Sequence, residues 1–81
     1  MIIIGERING QFNDVRKGIR KKDKEVIQKL ALGQIEAGAD YLDVNVGTAV
    51  PSAKKAEAMV WLIETIQEVT DAPLALDTPI L

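Results

Sequence analysis

The apolar positions of the chain fall into two alternating kinds of pattern. Over residues 24–37, Val26, Ile27, Leu30, Ala31, Ile35 and Ala37 recur at the i, i+3, i+4, i+7 spacing of a helix face, with Gln34 the one polar exception. Over residues 53–69, Ala56, Met59, Val60, Ile63, Ile66 and Val69 repeat that spacing. A shorter helix is expected over 13–22, anchored by Val15 and Ile19 and weakened at Gly18 by about 1 kcal/mol relative to alanine. Asn13 and Asp23 are the expected N-caps, Gly38 the left-handed C-cap, and Pro51-Ser52 the start of the last helix. Between the helices lie runs of strand character. Residues 2–5 are apolar and β-branched, closed by glycine. Residues 41–46 alternate strictly: Leu42, Val44 and Val46 share one face, and Tyr41, Asp43 and Asn45 share the other. A third run spans 74–78.

Strands separated by helices predict parallel βαβ units, and parallel strands are normally covered on both faces. Asp43 and Asn45 then project neither into bulk water nor against a helix. The interior of a (β/α) barrel, near its C-terminal mouth, is such a place, and barrel enzymes hold their chemistry there. The expected fold is therefore α/β, a βαβαβ portion of a (β/α)8 TIM-type barrel. A whole barrel takes about 250 residues, so 81 residues amount to roughly a third of one. The expectation is one incomplete domain over residues 1–81.

Composition narrows the chemistry. The chain is 47% hydrophobic and 27% charged, with a formal net charge of −2. It contains no cysteine and no histidine, which removes thiolate chemistry, disulfides and the commonest general base and metal ligand. No metal site is expected. No membrane-length apolar run and no signal peptide is present, so a cytoplasmic location is the default. No G-x-G-x-x-G or Walker A string points to a nucleotide. Residues 16–24 are basic through Arg16, Lys17, Arg20, Lys21, Lys22 and Lys24. That stretch reads first as a solvated helix face, and second as a docking patch for an acidic partner or anionic ligand tail. With no aromatics interleaved, nucleic acid is not expected as a partner.

The candidate chemistry lies at strand ends. Glu6, Arg7 and Asn9 follow the first run, where barrels place functional side chains. The competing reading is a turn at Asn9-Gly10, with Glu6 and Arg7 paired to each other. An internal echo aligns residues 36–46 with 68–78: Leu42 falls on Leu74, Val44 on Leu76, and Asn45 on Asp77. Asp43, Asn45 and Asp77 would then share one mouth. One buried aspartate could simply satisfy loop amides, but three polar side chains among apolar strands favour a binding site. Carboxylates beside an amide suit a planar heterocycle rich in N–H donors, a pterin among others.

The strings Ile4-Gly5-Glu6-Arg7-Ile8-Asn9-Gly10, Gly38-Ala39-Asp40-Tyr41-Leu42-Asp43-Val44-Asn45-Val46-Gly47 and Leu76-Asp77-Thr78 resemble the start of the methyltetrahydrofolate:corrinoid/iron–sulfur protein methyltransferases. The folate domain of cobalamin-dependent methionine synthase is similar. The resemblance implies the N-terminal part of a pterin-binding barrel, homodimeric when full length. It implies transfer of the methyl group of methyltetrahydrofolate to the Co(I) corrinoid of a partner protein, in one-carbon metabolism. Asp77 matches the family aspartate that hydrogen-bonds the pterin, Asp43 and Asn45 match the second-strand motif lining the same pocket, and Glu6, Arg7 and Asn9 match the first-strand motif. Thr78 stands where the family commonly has serine, so the hydroxyl is kept. The family residues that approach the reacting nitrogen fall beyond residue 81, so no catalytic residue is assigned. With no histidine or cysteine here, the corrinoid's ligands belong to the partner. Two other readings remain: a non-catalytic piece that binds or self-associates, and a dihydropteroate-synthase-like pterin enzyme.

Overall fold

The computed structural model describes residues 1–76. Three parallel strands, β1 (Ile4–Asn9), β2 (Tyr41–Asn45) and β3 (Leu74–Leu76), form one sheet in the order β1-β2-β3. Helices α1 (Asn13–Lys21) and α2 (Lys24–Glu36) make the first crossover. A short 3-10 turn (Ser52–Lys54) and α3 (Lys55–Gln67) make the second. The expected succession of elements is therefore present. Strands that step one place at a time across a parallel sheet, with all helices on one face, are wound as in a barrel rather than in a doubly wound sheet.

One core lies between the sheet and the helices. Ile8, Leu42 and Val44 from the strands meet Val15 and Ile19 of α1, Ile27 and Ala31 of α2, and Met59, Leu62 and Ile66 of α3. Leu42, Val44 and Val46 are buried, while Tyr41, Asp43 and Asn45 are half-buried, as the alternation predicts. The β2–β3 register pairs Leu42 with Leu74 and Val44 with Leu76, which is the pairing the internal echo gave. Asp77, the counterpart of Asn45 in that echo, lies outside the described residues.

Several expectations change in detail. The first strand is Ile4–Asn9 rather than 2–5, so Glu6, Arg7 and Asn9 belong to the strand and not to the loop after it. Ile2, Ile3 and Ile4 are 70%, 47% and 43% exposed, and the buried isoleucine of β1 is Ile8. Asp23 stands at the N-cap of α2 but makes no side-chain capping bond, and the cap of α1 is Phe12 rather than Asn13. On α3 the sheet-facing stripe is Met59, Leu62 and Ile66, while Val60 is 53% exposed. That helix is apolar on most sides, so periodicity alone does not single out the buried stripe. A Cβ at Gly18 would lie 3.4 Å from Ile27 Cδ1, an ordinary contact, so the packing of α1 on α2 does not itself require glycine there. Among the described residues no helix is long and apolar enough to cross a membrane.

Candidate functional site

The face of the sheet away from the helices carries the polar side chains. Glu6, Asn9 and Phe12 from the β1 side and Asp43 and Asn45 from β2 line a cavity of about 320 Å³. Asn9 and Asn45 are register partners at the C-terminal ends of adjacent strands. All four of the polar side chains that line this cavity with Phe12, namely Glu6, Asn9, Asp43 and Asn45, are among those singled out from the sequence. Phe12 itself, an aromatic ring 45% exposed at the rim, is not. Phe12 falls outside every strand and helix pattern, so only the fold of the first loop reveals it.

How β1 achieves this is visible in its register. Gly5 pairs with Leu42 and Ile8 pairs with Val44, so three steps along β1 match two along β2. The extra residue is a β-bulge. In an unbroken strand, residues three apart point to opposite faces. The bulge lets Gly5 and Ile8 both face the core while Glu6 and Asn9 both face the cavity. Among the described residues, the Arg7 N–H takes its partner from a helix instead of the neighbouring strand: it donates to Gln34 Oε1 at 2.9 Å.

The loops at this end are tied down from several directions. Asn9 Oδ1 accepts from the Gln11 N–H at 2.9 Å, and Asn45 Oδ1 accepts from the Gly47 N–H at 2.7 Å. Each is an Asx turn, in which a short amide side chain folds its own loop. Part of the turn reading of Asn9-Gly10 is therefore correct, and each amide oxygen already holds a loop. The two loops also touch, since the Gly10 N–H donates to Asn45 O at 2.9 Å. A Cβ at Gly10 would lie 1.7 Å from Val46 O, so only glycine permits this approach.

Arg7 does not pair with Glu6. Its guanidinium lies 2.6 Å from Asp14 Oδ2 and 4.3 Å from the centre of the Phe12 ring. The hydrogen bond from Arg7 holds the Asp14 carboxyl below its ordinary pKa, with the neighbouring Val15 N–H adding to the effect. Among the described residues neither the Glu6 nor the Asp43 carboxylate has a hydrogen-bonding or ionic partner. Two acceptor groups and no facing cation make a cavity suited to a ligand that brings its own donors. Among the described residues no cluster of three acidic side chains is placed to hold a metal ion.

Most of the basic stretch is a solvated face, as first expected, with Lys17, Arg20, Lys21, Lys22 and Lys24 exposed, and two of its arginines also hold loops. Arg16 donates to Gly10 O at 3.3 Å and to Gln11 O at 3.0 Å, and Arg20 donates to Ala49 O at 2.6 Å. Two of its cations therefore brace the loops that follow β1 and β2. A larger hollow of about 570 Å³ opens beside Arg20, Lys22, Lys54, Glu57 and Trp61, and it shares no lining residue with the cavity of Glu6 and Asp43.

Fold and cavity together define a class: a parallel α/β unit wound as in a barrel, with a polar strand face at the C-terminal strand ends. No protein-family model matches the chain. A curated methylcorrinoid:tetrahydrofolate methyltransferase from Eubacterium limosum is 44% identical to it over 79 residues, which is 98% of this chain and 28% of that protein. The chain fits a fragment of that methyltransferase family, as the sequence motifs indicated, and spans little more than a quarter of the relative's length.

Proposed function

We propose that this chain supplies the pterin-facing side of an enzyme that moves a methyl group between a methylcorrinoid and tetrahydrofolate. The observation that carries the reading is the shared cavity of Glu6, Asn9, Asp43 and Asn45 at the ends of two adjacent parallel strands. In this reading the chain is the N-terminal part of a pterin-binding barrel, dimeric when whole, and later strands complete the pocket.

The residue types fit the ligand. A pterin presents an amino group beside a ring N–H, and a carboxylate can accept both in parallel. Asp43 and Glu6 are the carboxylates available for this among the described residues, and Asp77 is the third by resemblance. The Asn9 amide, its oxygen already holding the loop, offers its NH₂ to the ring carbonyl. The exposed Phe12 ring gives the planar pterin an apolar edge to lie against. These groups position the folate so that its reactive nitrogen is aligned with the methyl group in an in-line displacement. A corrinoid held by a partner protein would supply the methyl group, and the folate nitrogen that receives it would release its proton to solvent.

The name of the Eubacterium limosum relative makes tetrahydrofolate the methyl acceptor. The family resemblance suggested the opposite direction. Both directions share one transition state, so the same side chains serve either, and we take the acceptor direction for this chain on the strength of the relative. The test uses the complete barrel protein with methylcobalamin as methyl donor and tetrahydrofolate as acceptor, and follows methyltetrahydrofolate formed. Asp43→Asn and Glu6→Gln should each lower kcat/KM for tetrahydrofolate by about tenfold or more, chiefly through KM. Full activity in both variants would contradict the proposal.

One observation favours a second reading. Ile2 and Ile3 before β1 and Ile4 at its start are exposed, and Leu76 is 50% exposed on β3. Apolar sheet edges of this kind associate with further strands, so a piece of this size would self-associate or bind a partner without catalysing anything.

A further inference from the structure

We infer that Gln34 is a positioning residue for the ligand face, acting from the opposite side of the sheet. The inference rests on the reading above, that the face of Glu6 and Asn9 binds a ligand, and adds what sets that face up. Gln34 is the polar interruption in the apolar stripe of α2. It is half-buried, and its Oε1 accepts the Arg7 N–H at 2.9 Å. Its Nε2 reaches back toward Leu30 O at 3.4 Å, which fixes which end of the amide faces the strand.

The Arg7 N–H lies within the bulge of β1, where Glu6 and Arg7 together stand opposite Asp43. A part-buried strand amide without a partner is costly, so the bulge is favoured where something else accepts that N–H. Gln34 does this. Gly5 makes room for it, since a Cβ at Gly5 would lie 2.6 Å from Gln34 Oε1 and 3.0 Å from Leu42 Cδ2. Gly5, Arg7 and Gln34 therefore form one device. If the bulge were lost, a regular alternation from Gly5 would turn Ile8 toward the cavity and Arg7 toward the core. Asn9 would leave the face it shares with Asn45. The amide on α2 thereby decides which β1 side chains a ligand meets, without touching the ligand.

The test compares three variants of the complete barrel protein by calorimetric titration with tetrahydrofolate. Gln34→Met keeps the length and removes the acceptor, Gln34→Glu keeps an acceptor oxygen, and Asp43→Asn changes the face directly. Gln34→Met should weaken binding by about tenfold, the cost of one unsatisfied part-buried amide. Gln34→Glu should restore it to within about threefold, because the carboxylate still accepts the Arg7 N–H. Rescue by the conservative variant is a result that a merely space-filling role would not give. Wild-type affinity in Gln34→Met with loss in Asp43→Asn would overturn the role of Gln34 and leave the ligand face standing. Wild-type affinity in both would overturn the ligand face itself. Should Gln34→Met fail to fold, hydrogen exchange of the Arg7 amide decides: slow exchange in the wild type and in Gln34→Glu supports the device, and fast exchange in the wild type overturns it.

Discussion

Single residues carry most of the functional content. Glu6 and Asp43 keep their carboxylates free of cationic partners among the described residues, although Arg7 adjoins Glu6 in sequence. The Arg7 guanidinium goes instead to Asp14, 2.6 Å away, and over Phe12. The pair with Arg7 lowers the Asp14 pKa, so the folded state holds that proton more weakly than the unfolded chain does. The pair's contribution is therefore present above the ordinary carboxylate pKa and is lost as pH falls through the depressed folded value. Both side chains are partly exposed, at 37% and 46%, so the contribution is less than about 1 kcal/mol. Urea midpoints of wild type and Asp14→Asn should differ slightly at pH 7 and converge in acid. A gap that widens in acid would contradict this. Thr65 offers a second test. It is fully buried in α3, and among the described residues its hydroxyl has no partner. Thr65→Val should raise stability by about 1 kcal/mol, read from thermal or urea unfolding, because an unpaired buried hydroxyl is replaced by a methyl of the same shape.

At the scale of elements, the helices and β2 were largely legible and β1 was not. Strict alternation over Leu42, Asp43, Val44 and Asn45 leaves one arrangement, and β2 adopts it. The β2–β3 register was readable because two helix-to-strand junctions echo each other in sequence. β1 misled because a triple isoleucine is the strongest apolar signal in the chain, yet those residues are exposed and the buried positions are Gly5 and Ile8. Core positions three apart do not fit a regular strand and read instead as part of a helix face. That odd spacing was the one available sign of the bulge, and a single glycine in it hid the pattern. Gln34 was visible as an exception on α2, but its reason lies in a strand amide 27 residues away. The buried stripe of α3 was shifted for a simpler cause, since Val60 and Leu62 are equally apolar and only the packing against β2 tells them apart.

For the whole molecule, the winding matters most. Three parallel strands taken in sequence order, with every helix on one face, leave the other face for ligands or for further structure. That bare face is where the barrel reading expected polar chemistry, and four of the five proposed substrate-binding residues line one cavity there. The fifth, Asp77, lies outside the described residues. The 44% identity to a methylcorrinoid:tetrahydrofolate methyltransferase extends over 28% of that protein. The most direct test of the account is titration of tetrahydrofolate into the complete barrel protein, wild type against the double variant Glu6→Gln/Asp43→Asn, with circular dichroism confirming that both are folded. The account predicts binding that weakens by well over about tenfold in the folded double variant, because two charge-assisted acceptor sites for the pterin are lost together. Equal affinity in the two proteins would contradict it and would move the folate away from this face of the sheet.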